Sequence, residues 1–151
     1  MPKFFPAPGI VGSRAAREVL MDDRYLGSMT AEWANLTTLL AGVGALEPSP
    51  LLASSGNAID AAEAKILKSA GAVGDVCLRF YDRFGAAVTT ELDDRILGIS
   101  RETLRAVPRR IGVAGGARKY AAIRGAVLGG WINILVTDRV TAMRLLLEGT
   151  T

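Results

Sequence analysis

The chain of 151 residues contains no histidine and a single cysteine, Cys77. Without histidine there is no Ser-His-Asp or Cys-His arrangement, no usual zinc ligand set and no imidazole general base. One cysteine allows no intrachain disulfide, which fits a reducing compartment, and we expect a cytoplasmic location. Aromatic residues are scarce, and none is interleaved with the densest basic group, Arg105, Arg109 and Arg110. With a net charge of only +3, this argues against nucleic-acid binding by the chain itself. Long apolar runs are missing as well. The charge-free stretch from Trp33 to Leu46 carries Asn35 and two threonines and is too short to span a bilayer. Prolines break "MPKFFPAPGIVGS" before a signal-peptide core can form. No membrane partner is expected.

What is present is apolar. Half of the residues are hydrophobic, high for one small domain. Two explanations are open: both faces of a parallel sheet are covered, or a surface is hidden in an oligomer.

The pattern alternates. "TTLLAGVG" (37–44) reads as a buried strand, and "DAAEAKILKSAG" (60–71) as a helix capped by Asp60 with Glu63 and stopped by Gly71. "DVCLRFYD" (75–82) reads as a strand, turned by "DRFG", with "AAVTTEL" as a possible antiparallel return. Ser100 starts a short helix that stops before Pro108. "RIGVAG" is a strand, residues 117–128 a helix and "INILVTD" a strand. Asp138 caps a last helix whose apolar stripe includes Ala142, Leu145 and Leu146, and Gly149 ends it. Near the N-terminus, residues 13–23 look helical, and a second helix runs to about Trp33. The Pro-, Ser- and Gly-rich stretch 47–57 reads as a loop. Strands alternating with helices imply right-handed crossovers and a parallel sheet covered on both faces.

In such a sheet ligands bind beyond the carboxyl ends of the strands. Three places put glycine or a polar group there. "GVAGGARKYAAI" (112–123) sets Gly115 and Gly116 between a strand and a helix, with Lys119 in the first turn. This is neither a Walker A loop nor G-x-G-x-x-G. It fits an anion held by free amides and a lysine, and equally an ordinary turn with a solvated lysine. Gly42 and Gly44 permit close approach to a ligand or merely a tight strand exit. Asp75 can accept from hydroxyls or can be a turn residue. Asp22-Asp23 and Asp93-Asp94 read as solvated turn residues. Glu47 is the better general-base candidate if the chain has one. Trp33 and Trp131 need only core packing or an interface.

Taken together, "PAPGIV" (6–11), "GVGALEPSPLL" (42–52), "GAVGDVCLRFYDRFG" (71–85), "RILGIS" (95–100) and "IGVAGGARKYAAIRGAVLGGWINILVTD" (111–138) resemble the effector-binding domain of SorC/DeoR-type sugar-responsive bacterial transcriptional regulators. Their order and spacing agree over nearly the whole chain. The resemblance implies a Rossmann-like, three-layer α/β/α fold with a mostly parallel sheet, related to sugar-phosphate isomerases. It implies a phosphorylated sugar or similar small metabolite as ligand, and no cofactor or metal. Lys119 matches the family's phosphate-contacting lysine and Asp75 its sugar-contacting acid. Gly115 and Gly116 match the turn beside the ligand, and Gly42 and Gly44 match glycines lining the cleft. Departures are Leu78 where glycine is frequent, Phe84 where a small polar turn residue is usual, and Tyr120 in place of alanine. Neither the family's helix-turn-helix nor the first part of its effector domain is matched. The expectation is therefore one incomplete effector-binding domain, residues 1–151, that reaches DNA only through a missing N-terminal domain. An open sheet edge and the apolar composition predict a homo-oligomer. The alternatives are a small sugar-phosphate isomerase-like enzyme using Glu47 or Asp75, and an oligomerisation fragment without a ligand.

Overall fold

A computed structural model describes residues 2–47 and 59–149. Most of the expected loop at 47–57 lies outside the described residues. Two short helices, α1 (Arg14–Asp22) and α2 (Arg24–Ala31), lead through a 3-10 turn at Glu32–Asn35 into strand β1 (Thr38–Ala45). Helix α3 (Ala61–Ser69) is followed by β2 (Ala72–Val76), β3 (Arg79–Asp82), a 3-10 turn at Glu91–Arg95, and α4 (Arg101–Ala106). The chain then alternates through β4 (Arg109–Val113), α5 (Tyr120–Leu128), β5 (Ile134–Val136) and α6 (Arg139–Glu148). Caps set the helix starts. Ser13, Asp60 and Asp138 each accept the backbone N–H three residues on, and Ser100 does the same for α4. Glu63 does not complete the expected capping box; it forms an ion pair with Arg95.

The five strands form one sheet in the order β3-β2-β1-β4-β5. β1, β4 and β5 run parallel and make the Rossmann-like centre. β2 and β3 are antiparallel additions beside β1. This corrects the single strand expected over 75–82. The stretch is a hairpin whose two-residue turn, Cys77-Leu78, takes left-handed φ values of 53° and 61°. Continuous apolar character concealed the turn, because neither residue is the glycine or asparagine that usually marks one. The expected return at 86–92 is reduced to a bridge between Tyr81 and Ala87.

Alternation along the strands divides the sheet into two faces. On one face Val43, Val76 and Tyr81 pack with Ala122 and Ile123 of α5 and with Trp131. The two buried rings stack at 5.3 Å, and each polar tip finds a carbonyl: Trp131 Nε1 donates to Gly85 O at 2.9 Å and the Tyr81 hydroxyl to Ala122 O at 3.1 Å. On the other face, Phe80 and Ala72 pack with Leu67 of α3 and with Leu92 and Ile96. Elements thus cover both faces at the hairpin end. Over β1, β4 and β5 the second face is open among the described residues, with Leu40 69%, Val113 46% and Val136 52% exposed. β1 is therefore half-buried, not the buried strand expected. In α6, Thr141 takes an inward position, and Leu146, expected on the inner stripe, is 79% exposed.

Asp93 is a further correction. It is not a solvated turn residue but sits between Arg79 and Arg101, with its side chain 15% exposed. Arg79, itself buried, also donates to Ile99 O at 2.8 Å and Gly98 O at 3.1 Å. The two arginines tie the 88–99 segment to the hairpin and offset the burial of their charge with hydrogen bonds.

Gly74 is where α5 comes closest to the sheet. A Cβ there would overlap the Cβ of Ala122 and come within 2.6 Å of Gly44 O. Gly74→Ala should therefore lower stability by about 1–3 kcal/mol in urea denaturation. An unchanged midpoint would show that α5 can shift to admit the methyl group.

Candidate functional site

β1 and β4 end side by side, with Gly42 paired to Val113. The turn after β4 carries Gly115 and Gly116, and Gly116 takes φ +91°, a conformation that favours glycine. A short 3-10 turn, Ala117–Lys119, then opens α5. It aims Lys119 back across the end of β1, where Nζ donates to Val43 O at 2.8 Å.

Asp75 approaches the same strand end from β2. Gly44 and Asp75 are register partners, so both lie on one face of the sheet. A Cβ at Gly44 would overlap Asp75 Oδ1; the missing side chain is what makes room for the carboxylate. Asp75 Oδ2 accepts the Leu78 N–H at 3.0 Å. Burial raises the Asp75 carboxyl above its usual range, opposed by the Leu78 N–H and by the positive charge of Lys119. The neighbouring Cys77 thiol is also raised, first by burial and then by Asp75.

On the β5 side of the turn stands Asp138. Its Oδ2 accepts the Gly116 N–H at 2.7 Å and the Thr141 hydroxyl at 2.7 Å, while Oδ1 accepts the Thr141 N–H at 2.9 Å. These bonds, those of Thr141 foremost, lower its carboxyl to about 2.

Of the six residues expected at a ligand site, Gly44, Asp75 and Lys119 converge on the end of β1. Gly115 and Gly116 border them on the β4 side, and Gly42 faces open space on the Gly44 face. Sequence reasoning missed the Val43 carbonyl, which holds Lys119, and the bond from Asp138 to Gly116. The first leaves no side-chain signal. The second was half legible, since Asp138 reads as a helix cap and its other oxygen is free to reach the turn. Glu47, the candidate base, is solvent-exposed and sits 3.6 Å from Lys68. Two adjoining cavities of about 550 and 530 Å³ surround the Glu63–Arg95 pair, and none of the six residues is among those lining them. Among the described residues no group of histidine, cysteine or acidic side chains could hold a metal ion.

Comparison with known proteins gives the family. The family model described as "Putative sugar-binding domain" matches residues 1–147. The chain belongs to the sugar-binding-domain family of SorC- and DeoR-type transcriptional regulators. It is 32% identical over 145 residues to the deoxyribonucleoside regulator of Bacillus subtilis, covering 96% of this chain and 46% of that protein. It is 33% identical over 142 residues to the sorbitol operon regulator of Klebsiella pneumoniae, covering 92% and 44%. The solved full-length sorbitol operon regulator SorC from K. pneumoniae superposes with a TM-score of 0.83 at 32% identity, over 92% of this chain and 45% of that one. A DeoR family regulator from Listeria monocytogenes superposes at 0.85 and 26% identity, over 95% and 58%. The chain thus spans less than half the length of these curated relatives. No helix among its described residues is long and apolar enough to cross a membrane.

The raised Asp75 carboxyl has a measurable consequence. An acid raised in the folded state is more costly to ionise there than in the unfolded chain. Its contribution is most favourable below the ordinary carboxylate range and declines as pH rises toward the folded-state value. Asp75→Asn should therefore raise Tm at neutral pH by a few degrees, and the gain should vanish below about pH 4. A variant less stable than the parent at neutral pH would mean that the attraction to Lys119 outweighs the burial.

Proposed function

We propose that this domain senses a phosphorylated sugar or a related small metabolite and belongs to a transcriptional regulator that reaches DNA through a separate domain. The observation that carries this reading is the placement of Asp75 and Lys119 at one strand end. A half-buried carboxylate fitted into the gap at Gly44 suits hydroxyl groups, and a lysine held by a backbone carbonyl suits an anionic group. Gly42 leaves backbone accessible beside them. The relatives named for a sorbitol operon and for deoxyribonucleosides support a sugar-related ligand. As bacterial transcriptional regulators they also support a cytoplasmic location and a role without catalysis.

Regulation then follows from linkage. A ligand that binds one conformation or oligomer more tightly shifts the population toward it, and a DNA-binding domain reads that shift. The isomerase alternative gains little, because Glu47 is exposed and paired with Lys68 and the chain has no imidazole. Incubation with aldose and ketose phosphates separates the two readings. Interconversion lost on changing Asp75 would favour the enzyme.

A thermal-shift panel of sugar phosphates tests sensing directly. At about a hundredfold excess over Kd the right ligand should add roughly 2.7 kcal/mol, about 5–10 °C for a chain of this size. Lys119→Ala should remove the shift. A flat response to every compound would leave the oligomerisation reading in its place.

We also propose that the domain self-associates. Among the described residues, the open apolar face of β1, β4 and β5 supports this, as does the outer edge of β5, which no described strand pairs. Sedimentation at micromolar concentration should show an assembly larger than one chain, and Leu40→Lys with Val136→Lys should shift it toward the monomer. A parent chain that sediments as a monomer refutes the proposal.

A further inference from the structure

The Gly115-Gly116 turn looks like an anion cradle from its sequence, yet its Gly116 amide is already taken. Asp138 Oδ2 lies 2.7 Å from the Gly116 nitrogen, and a Cβ at Gly115 would come within 2.5 Å of the same oxygen. The turn therefore has an anion of its own, built into the chain and fixed by two further bonds to Thr141. A second anion at the Gly116 N–H would have to displace this carboxylate or lie against it. Like charges at hydrogen-bond separation repel, though at this solvent-exposed turn the repulsion is screened by water, and occupation of the Gly116 N–H by the carboxylate is the larger obstacle. On the other side of the turn, Lys119 Nζ reaches Val43 O beside Gly44 and Asp75. The cation of the site thus lies at the β1–β2 side, away from Asp138.

We infer that Asp138 is a specificity-determining residue: its carboxylate closes the Gly116 amide to the ligand's anionic group and leaves that group to Lys119. This rests on the sugar-sensing reading above and deepens it. With the Gly116 amide withheld, a free phosphate ion meets one lysine and a nearby acid, which is a weak site. A ligand gains affinity only by also offering hydroxyls to Asp75. The class selected is a polyol that carries an anionic group, discriminated against inorganic phosphate.

The test uses inorganic phosphate as the probe, followed by calorimetry and by amide NMR on the labelled chain. Asp138→Ser keeps a good helix cap for α6, but its side chain is too short to hold the Gly116 N–H. This variant should bind phosphate at least about tenfold more tightly than the parent, the gain expected from one charge-assisted hydrogen bond. In the parent, added phosphate should move the Lys119 and Gly44 amide signals and leave Gly116 in place. Phosphate binding to Asp138→Ser that is no tighter than to the parent overturns the inference, as does a Gly116 signal that moves together with Lys119 in the parent. Should the variant fail to fold, the parent spectra alone decide. The sugar-sensing reading fails separately: Lys119→Ala would then leave phosphate binding unchanged in both backgrounds, even where Asp138→Ser had gained affinity.

Discussion

Close approach of β1 and β2 at two glycines is the constraint on which the remaining structure depends. Gly74 lets α5 press against one face of the sheet through Ala122, and Gly44 lets the Asp75 carboxylate fill the other face. The two positions are adjacent in the register, where Gly44 meets Asp75 and Ala45 meets Gly74. A side chain at the first would displace the candidate ligand group. A side chain at the second would push away the helix that carries Lys119 at its start. Core and site are therefore set by one pair of strands, and both are sensitive to the addition of a methyl group there.

The hairpin tip carries backbone strain beside the candidate site. Cys77 and Leu78 both adopt left-handed backbone, at about 1–2 kcal/mol for each non-glycine residue. Asp75 stabilises the turn through the Leu78 N–H, and in return its own carboxylate is buried. Arg79, directly after the turn, anchors the following strand to Gly98, Ile99 and Asp93. Strain of this kind persists only where the surroundings over-determine the conformation, and it is concentrated at binding sites. Here it lies next to Asp75, the acid proposed to contact the ligand.

The sheet's open face links the fold to its family context. Apolar residues on β1, β4 and β5 and on the outside of α6, such as Val140 and Leu147, remain exposed. The composition left two explanations for so much apolar sequence, and the structure locates the surplus on one face. The relatives are more than twice as long as the matched region. Among the described residues this face is open, which supports the proposed self-association.

Much of the element pattern was legible because it rests on local chemistry. Asp60, Ser100 and Asp138 cap helices, glycine stops them, and apolar runs bounded by glycine make strands; each is decided within a few residues. The linked motifs likewise identified the family and its Rossmann-like fold. What the sequence alone did not reveal depended on partners far along the chain. A turn on Cys77-Leu78 has no local turn signal and is held by Asp75. Asp93 reads as solvent-exposed until Arg79 and Arg101 close on it. Which face of β1 is covered depends on where α5 lands. Gly116 looks free to bind an anion until folding brings Asp138, 22 residues away, onto its amide. Local sequence determines which segments become helices and strands, because caps and periodicity act over one or two turns. Tertiary structure alone decides which charges and amides remain available, because that depends on what the fold places against them.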